Sequence, residues 1–76
     1  MIKKIEISTE YITLGQYLKL ADIIDSGGMA KLFIQEYSIK VNGEPETRRG
    51  RKLIHEDVID VEEFGQFQVI QVTHSP

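Results

Sequence analysis

Cysteine and tryptophan are both absent from this 76-residue chain of 8.7 kDa, and proline occurs only twice. Without cysteine there is no disulfide framework and no thiolate metal site, which fits a reducing compartment. No run approaches the roughly 18 consecutive apolar residues of a membrane span. The opening Met1-Ile2-Lys3-Lys4-Ile5-Glu6 alternates charge with isoleucine rather than forming the apolar core of a secretion signal. The expectation is an untargeted, cytoplasmic protein with no membrane partner. Internal repeats and low-complexity segments are also missing. What is present is 41% apolar residues, enough for one thin core. A chain this short buries only roughly 60% of its unfolded surface, so one two-layered domain over residues 1–76 is the practical limit.

The formal charge of -3 hides a segregation along the chain. Residues 13–52 carry seven basic side chains (Lys19, Lys31, Lys40, Arg48, Arg49, Arg51 and Lys52) against five acidic ones. Residues 53–76 carry Glu56, Asp57, Asp60, Glu62 and Glu63 with no lysine or arginine. The run Arg48 to Lys52 is the densest charge cluster and holds all three arginines. Arginine forms planar, bidentate contacts to phosphate, so this run is a candidate nucleic-acid grip. A bland reading stands beside it, in which the charges guard a hairpin edge against aggregation. A guard needs only one or two charges, however, and lysine serves as well as arginine.

Residues 3–9 alternate Ile5 and Ile7 with polar neighbours, the period of a half-buried edge strand. Thr13 stands at an N-cap, and Leu14, Tyr17, Leu18 and Ala21 follow at i, i+3, i+4 and i+7, the apolar stripe of a helix ending near Asp22 to Asp25. Ser26 is a second N-cap, with Ala30, Phe33, Ile34 and Tyr37 repeating that stripe on a second helix. The stripes assign Tyr17, Phe33 and Tyr37 to the core and leave Tyr11, Phe64 and Phe67 open as aromatics that could stack on single strands. The short connection makes the helices a directly packed pair. Beyond Tyr37 the period becomes two: Ile39 and Val41 form a strand, Asn42-Gly43 a tight hairpin turn, and Glu44 to Thr47 the return. Arg48 to Lys52 reads as a polar bend, Leu53 and Ile54 resume the apolar pattern, and His55-Glu56-Asp57 is a turn. Strands follow at Val58 to Val61 and, after Glu62, Glu63 and Gly65, at Phe67 to Thr73.

Taken together, the Leu14-x-x-x-Leu18 helix, the Ser26 turn, Ala30-x-x-Phe33-Ile34, Ile39-x-Val41-Asn42-Gly43 and Asp57-Val58-Ile59 resemble the alpha-L RNA-binding motif. This is the domain named after ribosomal small-subunit protein S4. The Gly27-Gly28-x-Ala30-Lys31 turn and the run from Asn42 to Lys52 resemble in particular its short stand-alone bacterial members. The resemblance covers residues 13–61. Two departures stand out: Thr13-Leu14-Gly15 replaces the usual Arg-Leu-Asp, and Ser26-Gly27 replaces Ser-Arg. The arginines at 48, 49 and 51 either compensate for those lost contacts or suit a different RNA.

The resemblance implies an α+β fold, a helix pair packed on a small, mainly antiparallel sheet, with the basic residues of helix two and the hairpin on one face. It implies a non-catalytic protein, needing no cofactor, that binds structured RNA, with ribosomal RNA as the expected target. The residues expected to meet it are Ser26, Gly27, Gly28, Lys31, Arg48, Arg49, Arg51 and Lys52, with Lys19 and Lys40 as weaker candidates. Gly27 and Gly28 remove side chains that would block a phosphate near the start of helix two. Such a face reads phosphate position and helical shape, because the deep major groove of A-form RNA hides its base edges. The acidic C-terminal third is then expected to point away from RNA or to face a ribosomal or other protein partner.

Two other readings compete. Val41-Asn42-Gly43-Glu44 followed by Glu56-Asp57-Val58-Ile59 also resembles the second half of a beta-grasp sulfur carrier. Carrier chemistry needs a terminal Gly-Gly where this sequence has Thr73-His74-Ser75-Pro76, which leaves a protein-interaction module without conjugation chemistry. An enzyme or metal site built on His55, Glu56, Asp57 and His74 is disfavoured, because three of the four are consecutive in a turn instead of spaced i, i+4 on a helix. No serine sits in a nucleophile elbow.

Overall fold

The computed structural model describes residues 1–72. The elements in chain order are β1 (Ile2–Ile7), β2 (Ile12–Thr13), α1 (Leu14–Leu20), a 3-10 turn (Gly27–Met29), α2 (Ala30–Glu36), β3 (Ile39–Val41), β4 (Glu44–Pro45), β5 (Lys52–Leu53), β6 (Val58–Val61) and β7 (Gly65–Gln71). Five strands form one sheet in the order β1-β7-β6-β3-β4, while β2 and β5 pair separately. β1 runs parallel to β7 and the other three pairings are antiparallel, so the sheet is mixed and mainly antiparallel. The α+β expectation holds, and β1 lies at the edge of the sheet.

Thr13 caps α1 with a full capping box: its Oγ1 accepts from the Gln16 N–H, and Gln16 Oε1 accepts from the Thr13 N–H, each at 3.4 Å. The helix stops at Leu20, before the expected Asp22 to Asp25 region. Asp22 turns left-handed at φ 63° and the Ile23 N–H returns 3.0 Å to the Leu18 carbonyl. Helix two also differs from the reading. Ser26 makes no side-chain capping bond, the chain passes through the 3-10 turn, and α2 begins only at Ala30. Two consecutive glycines favour no helix strongly enough to start one at residue 27. The first strand spans 2–7 instead of 3–9, and the last starts two residues before Phe67; its expected end at Thr73 lies outside the described residues, as does His74.

The core lies between the helix pair and one face of the sheet. Leu14, Tyr17 and Leu18 of α1 are fully buried, and Ala30 and Ile34 of α2 nearly so. They meet Ile7, Ile39, Val41, Ile59, Val61, Phe67 and Val69 from alternate strand positions, with Leu53 of β5 closing the end. Each such aliphatic side chain contributes roughly 1.5–3 kcal/mol when removed from water. Phe67, left open by the sequence, is core. Phe33 and Tyr37 are only half-buried, against expectation, and stack on each other at the surface with ring centroids 4.5 Å apart. Asn42 (φ 53°) and Gly43 (φ 85°) supply the left-handed residues of the two-residue β3–β4 hairpin.

Candidate functional site

The segment from Glu46 to Lys52 carries the basic run, and Glu46 builds it. This residue is 7% exposed and is the one buried charged side chain among the described residues. Its Oε2 accepts from the Thr47 N–H, the Arg48 N–H and Arg48 Nε at 3.0–3.1 Å. Its Oε1 accepts from Arg48 Nη2 at 3.1 Å and Arg51 Nη1 at 2.9 Å. Five donors on one carboxylate, the Arg48 guanidinium foremost, hold its pKa at about 2 against an ordinary 4.5, although burial alone would raise it. The loop thus closes around an internal anion, helped by the Arg51 N–H reaching the Arg48 carbonyl at 3.2 Å. Arg48 remains 73% exposed and Arg51 34% exposed, so both present charge outward while bonded inward.

The same loop is fastened to the start of α1. The N–H groups of Leu14 and Gly15 donate to the carbonyls of Arg51 and Arg49 at 2.8 and 2.9 Å. The capping box takes the Gln16 N–H, so the first three donors of α1 are satisfied internally. Ile12↔Leu53 and Thr13↔Lys52 add the short β2–β5 ladder. Gly15 makes the close approach possible: a Cβ there would lie 3.3 Å from Ala30 Cβ and 3.5 Å from the Arg49 carbonyl. This gives the departure Thr13-Leu14-Gly15 a physical reason, since an aspartate at 15 would crowd both neighbours.

Arg49 differs from its neighbours in having no side-chain hydrogen bond or ion pair among the described residues. It borders two shallow depressions. One is lined by Gly15, Gly27, Ala30 and Gly50, the other by Lys31, Ile34, Gln35 and Thr47. Arg49, Lys31 and the Gly27 turn therefore come together on one face, beside Arg48 and Arg51. Gly27 and Gly28 are open to solvent, with nothing within 4 Å of a Cβ at 27 and only Ser26 Oγ at 3.9 Å from one at 28. Ser26 is exposed at the head of this turn.

Three residues of the expected set lie elsewhere. Lys52 extends along β5 and sets its Nζ 4.8 Å from the ring centre of exposed Tyr11. Lys19 lines a separate open groove with Tyr11, Gln16 and Leu20. Lys40 pairs across the sheet with Asp60 while its neighbours Ile39 and Val41 are buried, so it belongs to the outer face of the sheet, away from the helices.

Glu46 escaped the sequence reading, yet its signal was available. With Val41 opposite Glu44 across the hairpin, period two brings residue 46 opposite Ile39, on the buried face. The His55-Glu56-Asp57 segment is a turn, as read. Asp57 Oδ2 accepts from the Ile54 N–H at 2.9 Å, its Oδ1 accepts from Asn42 Nδ2 at 3.0 Å, and His55 Nδ1 accepts from the Gln71 N–H at 2.9 Å. Glu56 sits left-handed at φ 74°. Among the described residues no helix is long and apolar enough to cross a membrane.

Comparison with known proteins agrees with this fold. Residues 5–70 match the family described as S4 domain, a wider stretch than the 13–61 that carries the recognisable motifs. The chain is also similar to the probable ribosome maturation protein RlbA of Bacillus subtilis (strain 168), at 60% identity over 70 residues, covering 92% of this chain and 99% of that protein. With helix pair, hairpin and fastened basic loop in the order that the resemblance required, the chain belongs to the S4 domain family.

Proposed function

We propose that this protein is a non-catalytic, cytoplasmic RNA-binding protein that grips structured RNA, ribosomal RNA or a ribosome assembly intermediate, through the loop that Glu46 organises. Family membership supports RNA as the ligand, and the similarity to a protein named for ribosome maturation supports the ribosomal setting. The carrying observation is the five-fold bonded Glu46 carboxylate, which fixes Arg48 and Arg51 before any ligand arrives and leaves Arg49 unengaged between them. Pre-ordered cations lose less side-chain entropy on binding than mobile ones. Arg48, Arg49, Arg51 and Lys31 contact phosphates, with Gly27 and Gly28 beside Ser26 giving the backbone room to approach. Lys52 extends the basic surface towards Tyr11. Lys19 and Lys40 contribute at most a long-range field, because neither joins this face. The acidic C-terminal third points away from the RNA.

The test is a salt titration of binding to structured ribosomal RNA fragments by fluorescence anisotropy. With roughly four to six phosphates neutralised, log affinity is expected to fall against log salt with a slope of about -3 to -5. No saturable binding at low salt would overturn the proposal.

A further inference from the structure

From the middle of α2 to the residue that ends it, three aromatic rings form a cluster on the surface. Phe33 and Tyr37 stack with an interplanar angle of 22°, and Phe64 meets them edge-on at 5.4 and 5.6 Å. Phe64 is 44% exposed, and Met29 and Leu32, on the two turns of helix leading into the cluster, are exposed as well. The cluster is built rather than accidental. The Glu62 N–H donates to the Ser38 carbonyl at 3.0 Å and the Ser38 N–H to Glu62 Oε1 at 3.1 Å, which clamps the β6–β7 turn against the end of α2. Glu63 is held left-handed at φ 70°, and the Phe64 N–H closes the turn on the Val61 carbonyl at 3.0 Å.

Acidic groups predominate around this cluster. Glu36 neighbours Tyr37, Glu62 and Glu63 precede Phe64, and all three are exposed. Lys40 shares a shallow groove with Asp60, Glu62 and Glu63, where acids outnumber it. Three carboxylates beside the rings repel phosphate, so the patch is unsuited to RNA. They suit a guanidinium, which stacks on aromatic faces and donates two-pronged bonds to carboxylates. From this charge complementarity we infer that the Phe33–Tyr37–Phe64 patch, with its rim of Glu36, Glu62 and Glu63, is a docking site for an arginine-bearing segment of a protein partner. The molecule then has two surfaces, the Arg49 loop for RNA and the acidic aromatic patch for a basic protein.

The probe is a synthetic peptide of alternating arginine and glycine, titrated into isotope-labelled protein at physiological salt and followed through backbone amide shifts. A lysine-glycine peptide and a structured RNA fragment serve as the comparison arms. Saturable shifts centred on Phe33, Glu36, Tyr37, Glu63 and Phe64 are expected with the arginine peptide, weaker ones with lysine, and none at these amides with RNA. Phe64→Ala and Glu63→Lys are each expected to weaken the arginine peptide by about three- to tenfold. Glu63→Lys leaves every ring in place, so it decides the matter if Phe64→Ala perturbs the fold. Shifts spread evenly over Glu6, Glu10, Asp22 and Asp25, no shifts at all, or shifts of the patch amides by RNA would each overturn the inference.

Discussion

Glu46 occupies the position on which the basic loop depends. Replacing it by glutamine keeps the shape but removes the charge that five donors share, and a destabilisation of about 1–3 kcal/mol is expected. For a domain of this size each kcal/mol lowers the melting temperature by roughly 4–8 °C, so thermal denaturation reads the loss directly. The pH dependence carries a sign. The folded-state pKa of about 2 lies below the ordinary 4.5, so the stabilisation from Glu46 is complete above about 4.5 and is lost as pH falls towards 2. Urea midpoints of wild type and Glu46→Gln are therefore expected to converge between these values, and a constant gap would contradict this assignment. Tyr17 makes the opposite case. Its side chain is fully buried, its hydroxyl has no hydrogen-bond partner among the described residues, and burial pushes the phenol well above its usual range. Tyr17→Phe removes only an unsatisfied group and is expected to leave stability unchanged or raise it by up to about 1 kcal/mol.

The elements divide into those whose local sequence decides them and those that only the assembled fold decides. Thr13 with Gln16 and the Asn42-Gly43 hairpin were legible because cap and turn chemistry act within a few residues. The Asn42 side chain does more than turn the chain: its Oδ1 accepts from the Val58 N–H at 2.9 Å and its Nδ2 donates to Asp57. Asn42→Ala loses these bonds and strains a left-handed position, so a cost of about 2–3 kcal/mol in chemical denaturation is expected. The parallel β1–β7 pairing and the β2–β5 ladder were not legible, since period two reveals a strand but not its neighbour. The placement of Phe33 and Tyr37 was misread for a related reason. A stripe at i, i+3, i+4 and i+7 looks the same whether a second layer covers all of it or, as here, only Ala30 and Ile34 fully. In the candidate site the arginines and glycines were visible as composition, whereas the buried acid that arranges them, and the outward orientation of Lys40, became clear only from strand register.

At the scale of the whole molecule, segregated charge becomes segregated surface. Arg49 meets Lys31 and the Gly27 turn on one surface beside Arg48 and Arg51, while Glu62 and Glu63 line a separate groove with Asp60. A net charge of -3 is thus compatible with the proposed grip on a polyanion, because a local field rather than the net charge steers encounter. A triple exchange of the arginines would be a poor test, since Arg48 and Arg51 also neutralise Glu46 and the fold would suffer with the binding. Arg49 can be changed without touching that network, and Lys4 on the far edge strand β1 provides a control with the same change in charge. The decisive measurement is therefore the salt-dependent affinity of wild type, Arg49→Glu and Lys4→Glu for one structured ribosomal RNA fragment. Arg49→Glu is expected to bind at least about tenfold more weakly and to flatten the salt slope by about 1, while Lys4→Glu stays within about twofold of wild type. Equal losses in the two variants would reduce binding to net charge alone, and an unaffected Arg49→Glu would remove the loop from the RNA interface.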